Sequence, residues 1–75
     1  MAPNRVRRIR REREIYQIAL AREVGISRQH LHDIERGRRM PTLPVAQRIA
    51  RALDLTLDDL FPFEPTDASE TTRGV

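Results

Sequence analysis

The sequence predicts an all-α fold of five short helices, and three observations carry that prediction. Apolar residues recur at spacings of three and four along most of the chain, which is the period of a helix with one buried face. No alternating apolar and polar run persists, and Tyr16, Phe61 and Phe63 are the only aromatics, so the pattern of a half-buried strand is missing. Capping residues also stand where such helices would begin, at Asn4, Ser27, Thr42 and Thr56, and glycine stands where two would end, at Gly25 and Gly37.

Taken in order, Asn4 caps a first helix over residues 5–13 whose inner face holds Val6 and Ile9, with Ile15 closing the following turn. Its first turn carries Arg5, Arg7 and Arg8, at the end where the helix dipole disfavours positive charge. An external anion such as phosphate would compensate. A second helix, 17–24, buries Leu20, Ala21 and Val24 and ends at Gly25, where glycine reaches the left-handed conformation without strain. Ile26 turns inward, and Ser27 caps a third helix, 28–36, that buries Leu31 and Ile34. After the basic loop of Arg38 and Arg39, Thr42 caps a fourth helix with Leu43, Val45, Ala46, Ile49, Ala50 and Leu53 on its apolar stripe. Pro44 is tolerated because the first turn needs no backbone donor. Thr56 and Asp59 form a capping box for a fifth helix, 57–61. The polar, acidic stretch 62–75 reads as a flexible tail to a domain spanning 4–61.

Seventy-five residues suit a single small domain near the lower limit for an unaided core. Cysteine is absent, which rules out disulfides and thiolate metal sites. No apolar run is long enough for a membrane span or a signal peptide, so a cytoplasmic protein is expected. The net charge is only +3, yet its distribution is uneven: residues 1–53 hold thirteen arginines against five acids, and residues 54–75 one arginine against six. A basic domain of this kind suits a polyanion, since arginine contacts to phosphates release counterions.

Two short helices joined by a three-residue turn containing glycine make a helix-turn-helix, and Leu20, Ala21, Val24, Gly25, Ile26, Leu31 and Ile34 all agree with that geometry. The stretch QIALAREVGISRQHLHDIERGRRMPTLPVAQRIARALDLTLDDLF resembles the phage-repressor and Cro type of helix-turn-helix domain, the XRE group, over about residues 4–61. The resemblance implies a compact five-helix, lambda-repressor-like domain that binds double-stranded DNA as a homodimer on a palindromic operator and regulates transcription, in bacteria or their phages.

The resemblance further implies that the third helix enters the major groove, with Arg28, Gln29, His32 and Asp33 reading bases. The residue types fit: Arg forks onto guanine O6 and N7, Gln onto adenine N6 and N7, and Asp accepts from the cytosine amino group. Asp33 would otherwise repel phosphates, and Arg36 is its expected cationic neighbour. Phosphate contacts are expected from Gln17, from Arg38, Arg39 and Thr42 before the fourth helix, and from Arg5 and Arg8. Arg10 and Glu35 correspond to a structural ion pair in similar repressors. A dimer is expected because one helix reads only about four base pairs and an operator needs two half-sites; Leu57, Leu60, Phe61 and Phe63 are the candidate interface, and closing the bottom of the core suits the first three equally well. The chain departs from the family pattern at Tyr16, where Ser or Thr would cap the second helix, at Ile18 and Ala19 in place of acids, at Arg13 and Glu14 where glycine is common, and at Gln47 on the fourth helix.

Other function classes fare worse. His30 and His32, two apart on a helix, diverge by about 200 degrees and share no metal. His32 and Glu35 are only two ligands, and no nucleophile-base constellation is visible. Neither an enzyme nor a cofactor is expected. The stronger rival is a protein-interaction adaptor or antitoxin-like module that engages a protein partner through Ile18, the fifth helix or the tail.

Overall fold

The computed structural model describes residues 4–61. They form five helices: α1 (Val6–Glu12), α2 (Gln17–Val24), α3 (Arg28–Glu35), α4 (Leu43–Ala52) and α5 (Leu57–Leu60). Each helix matches a predicted one, with ends drawn in by a residue where the last turn loosens. Phe63 and the segment 62–75 lie outside the described residues.

The amphipathic stripes meet in one core. Val6, Leu20, Val24, Leu31, Ile34, Ile49, Leu53 and Leu60 are fully buried, each such side chain contributing about 1.5–3 kcal/mol of transfer free energy. Ala21 and Ala50 join them, and α2 packs on both α3 and α4. The small side chain of Ala21 permits the close approach of α2 to α3. Ile9, Ile15, Ile26, Val45, Leu55, Leu57 and Phe61 are partly buried around this cluster.

Capping follows the sequence signals at three helices. Ser27 accepts from the His30 N–H at 3.0 Å. Thr42 accepts from the Val45 N–H at 3.5 Å, and Thr56 and Asp59 complete the reciprocal capping box, with bonds of 3.1 and 3.0 Å. At α1 the cap residue is Arg5, without a side-chain bond. Asn4, one position earlier, accepts from the Val6 N–H at 3.1 Å and donates to the Ile34 carbonyl at 2.8 Å, so it ties the start of α1 to the end of α3. The Arg5 N–H donates to the Leu60 carbonyl at 2.8 Å, joining α1 to α5.

Four helices close through a left-handed residue, and only two of those residues are glycine. Gly25 (φ 87°) lets the Ile26 N–H return to the Ala21 carbonyl at 3.0 Å, and Arg38 likewise returns to Asp33 at 2.8 Å across Gly37. Glu14 (φ 56°) and Asp54 (φ 58°) serve the same purpose after α1 and α4, in a conformation that costs a non-glycine residue roughly 1–2 kcal/mol. The Arg13 guanidinium donates to the Leu53 carbonyl, so the first of these turns is anchored to the end of α4.

Two expectations need correction. Leu60 is fully buried and closes the core from below, so it is not an interface residue; the apolar groups left partly accessible at this end are Leu57 and Phe61. Leu43, placed on the α4 stripe by periodicity, is 61% exposed. It is the first residue of its helix, and helical side chains lean toward the N-terminus, which carries it past the edge of the core.

Candidate nucleic-acid interface

A polar arc on α3 follows directly from its buried side. Leu31, Ile34 and Glu35 are the buried residues of this helix, and at about 100 degrees per residue Arg28, His32, Arg36, Gln29 and Asp33 fall in that order around the rest. Arg28 and Gln29 are exposed, whereas His30, His32 and Asp33 are half-buried. The four sequence-predicted base readers therefore share one arc, and His30 lies outside it. Helical angles alone would put Arg36 within the arc as well, but it is the C-cap residue, outside α3 itself.

Asp33 finds a different partner from the one expected. Its carboxylate accepts from the Gln29 side-chain amide at 3.0 Å, an i,i+4 contact on the same helix, and no Arg36 ion pair forms among the described residues. Arg36 caps the end of α3 and lines a depression shared with Arg7, Arg8 and Arg11 of α1. The Asp33 carbonyl also accepts from the Arg38 and Arg39 N–H groups at 2.8 and 3.3 Å. This pins the basic loop to the end of α3, where Arg38, Arg39 and the α4 cap Thr42 are all exposed.

Behind the arc lies a buried polar hub. Glu35 is 5% exposed and accepts from Arg10 twice, Nε to Oε2 at 2.8 Å and Nη2 to Oε1 at 3.2 Å. Arg10 also donates to the Ile15 carbonyl at 2.8 Å. Two parallel bonds of this kind suit a planar guanidinium and a carboxylate, and the pair holds α1 to α3. The Gln17 amide completes the hub, donating to Glu35 Oε1 at 3.1 Å and lying 3.4 Å from His32 Nδ1. Gln17, expected at a phosphate, thus turns its side chain inward.

The remaining basic groups are spread more widely. Arg8 is 4.0 Å from Glu12 in an exposed i,i+4 pair. Arg5 lies toward α5: hydrogen bonds from the Thr56 N–H, then from the Thr56 hydroxyl, hold the Asp59 carboxyl below the usual carboxylate range, and the Arg5 charge adds to this. An open depression between α1 and the end of α3 brings together Arg7, Arg8, Arg11 and Arg36, a grouping hidden in sequence because Arg36 is distant in the chain. Tyr16 is 79% exposed and makes no side-chain cap bond to α2, and Ile18 beside it is also exposed. Among the described residues no three His, Asp or Glu side chains gather at a metal-binding distance, and no helix is long and apolar enough to cross a membrane.

Comparison with known proteins gives this geometry a context. A helix-turn-helix family model matches residues 6–60. An HTH-type transcriptional regulator of Methanothermobacter thermautotrophicus is 42% identical over 57 residues, which is 75% of this chain and 83% of that protein. The immunity repressor protein of Bacillus phage phi105 is 41% identical over 51 residues, 68% of this chain, and the match spans 35% of that longer repressor. Among solved structures, the P22 c2 repressor in complex with a synthetic operator superposes with a TM-score of 0.74 at 28% identity, covering 80% of this chain and 91% of that one.

Proposed function

The chain belongs to the helix-turn-helix family and is a DNA-binding transcriptional regulator, and from that premise we propose that it is a repressor that reads a palindromic operator with α3 as a homodimer. The observation that carries this reading is the α3 arc: Arg28, Gln29, His32 and Asp33 lie side by side on a capped helix whose opposite side is locked into the core. A surface without a nucleic-acid role has little use for four neighbouring hydrogen-bonding side chains on so rigid a support.

In this reading Arg28 forks onto guanine, and Asp33 accepts from a cytosine amino group while steadying Gln29 for its own base. Arg38, Arg39 and Thr42 grip one strand at the α4 start, and the α2 start, with the backbone N–H groups of Gln17 and Ile18, approaches the other. Arg5 and Arg8 add charge at longer range. Residues 4–61 form the DNA-binding unit, and residues 62–75 a separate acidic tail. Leu57 and Phe61, with Phe63, supply the dimer contact, which sets half-sites about 34 Å apart. The protein works in the cytoplasm, on duplex DNA.

Selection from random duplex DNA at about 150 mM salt, where nonspecific phosphate binding is weakened, tests the whole reading. A palindrome should be enriched, and Arg28→Ala and Gln29→Ala should erase base preferences without unfolding the protein. A folded protein that enriches no sequence overturns the reading and favours a protein-binding adaptor built on the exposed Tyr16 and Ile18, which Ile18→Asp would then disable.

A further inference from the structure

We propose that Gln17 is a positioning residue that fixes the tautomer of His32, so that His32 meets DNA only as a hydrogen-bond donor and favours guanine over cytosine at its base. The proposal rests on the reading that α3 occupies the major groove.

The argument runs outward from the buried ion pair. Arg10 holds Glu35 as a carboxylate, and a carboxylate only accepts hydrogen bonds. The Gln17 atom 3.1 Å from Glu35 Oε1 must therefore be the amide nitrogen, which removes the usual ambiguity between the two ends of a glutamine amide. One amide hydrogen goes to Glu35, and the other is directed at His32 Nδ1, 3.4 Å away. An N–H facing an N–H would repel, so Nδ1 carries the lone pair and the ring proton sits on Nε2. The two ring nitrogens point in divergent directions, and Nε2–H is turned away from Gln17.

The consequence is a choice among bases. In the major groove guanine offers two adjacent acceptors, N7 and O6, whereas cytosine offers only its amino donor. A His32 held as a donor excludes cytosine and favours guanine, whose two adjacent acceptors exceed the single acceptor of adenine N7 or thymine O4. The opposite tautomer, with Nε2 as acceptor, would select cytosine instead. One glutamine on α2 thereby sets the base preference of a residue on α3.

Long-range nitrogen-15 NMR of the His32 ring in the free, full-length protein reads the tautomer directly. The wild-type ring should be protonated on Nε2 alone, and Gln17→Met should give a mixture of the two forms; a wild-type ring protonated on Nδ1 overturns the proposal whatever the protein does with DNA. DNA selection supplies the second readout. Guanine should be enriched and cytosine depleted at one position per half-site, and His32→Ala and Gln17→Met should both reduce that preference by roughly tenfold at that position. A Gln17 that merely touched phosphate would weaken all sequences alike, so a uniform loss in Gln17→Met overturns the proposal. A wild-type protein with the Nε2–H ring but no base preference anywhere overturns the groove reading, and the base assignment falls with it.

Discussion

Two arginine–glutamate pairs bracket α1, and they differ in almost everything except chemistry. Arg10 and Glu35 meet at 2.8 Å with side-chain exposures of 11% and 1%, while Arg8 and Glu12 stand 4.0 Å apart at 64% and 67%. The inner pair joins residues 25 apart in sequence and is backed by Gln17 and the Ile15 carbonyl. The outer pair links one turn of a helix to the next and has no other support. Burial makes a charge pair expensive to break, because either survivor is stranded where water cannot reach it; exposure makes the same pair nearly weightless. The inner pair is therefore an architectural element for the reading helix, and the outer one is part of the charge cloud around it.

Breaking the inner pair should give the largest effect. Glu35→Ala leaves Arg10 and Gln17 facing an empty site and should cost about 3–5 kcal/mol, seen as a large fall in the urea midpoint. In a domain this small, that approaches the whole stability. The double variant Arg10→Met with Glu35→Leu, which removes both charges and fills the space, should recover most of it. A single variant that costs no more than about 1 kcal/mol would erase the distinction between the two pairs.

An intermediate case sharpens the comparison at the far end of the molecule. Asp59 is an exposed charge like Glu12, yet it is anchored by the Thr56 capping box. Its carboxyl is lowered by the Thr56 hydrogen bonds and then by Arg5, so it binds its proton less readily folded than unfolded. The stabilisation is complete above the unfolded carboxylate range and is lost as pH falls through the lowered folded value. Thr56→Ala should cost about 1 kcal/mol near neutral pH and should flatten the acid side of the stability profile measured by thermal melts between about pH 2 and 6.

These contrasts also show what was legible in sequence. Helix periodicity, the Ser27, Thr42 and Thr56 caps and the Gly25 turn are local signals, and the core residues from Leu20 to Leu53 follow from them. The α3 arc was legible for the same reason, since burying Leu31 and Ile34 fixes the opposite side. Contacts across the fold were less so. Asn4 reaches Ile34 and Arg13 reaches Leu53 over separations of 30 and 40 residues, and Gln17 turns toward Glu35 only because α2 and α3 cross where they do. The left-handed Glu14 was hidden too: the bend was located, but its residue type gives no sign of a positive φ. Arg10 and Glu35 were paired only through the family resemblance, because nothing in their spacing joins them.

The smallest predicted effect falls on the outer pair, and it tests the comparison from its weak side. Glu12→Ala removes the carboxylate beside Arg8, 4.0 Å away, and exposed i,i+4 pairs contribute only about 0.3–0.5 kcal/mol. Glu12 also lies in the last turn of α1, where the helix dipole disfavours an acid by a similar amount, so the two contributions nearly cancel. The expected change in stability is within about 0.5 kcal/mol, read as an unchanged melting temperature at low and high salt. DNA affinity should rise, because losing an anion beside Arg7, Arg8 and Arg11 raises the positive potential of the domain. A gain in affinity that disappears at high salt, with stability unchanged, would show that the outer charges of α1 serve the ligand and the inner ones serve the fold.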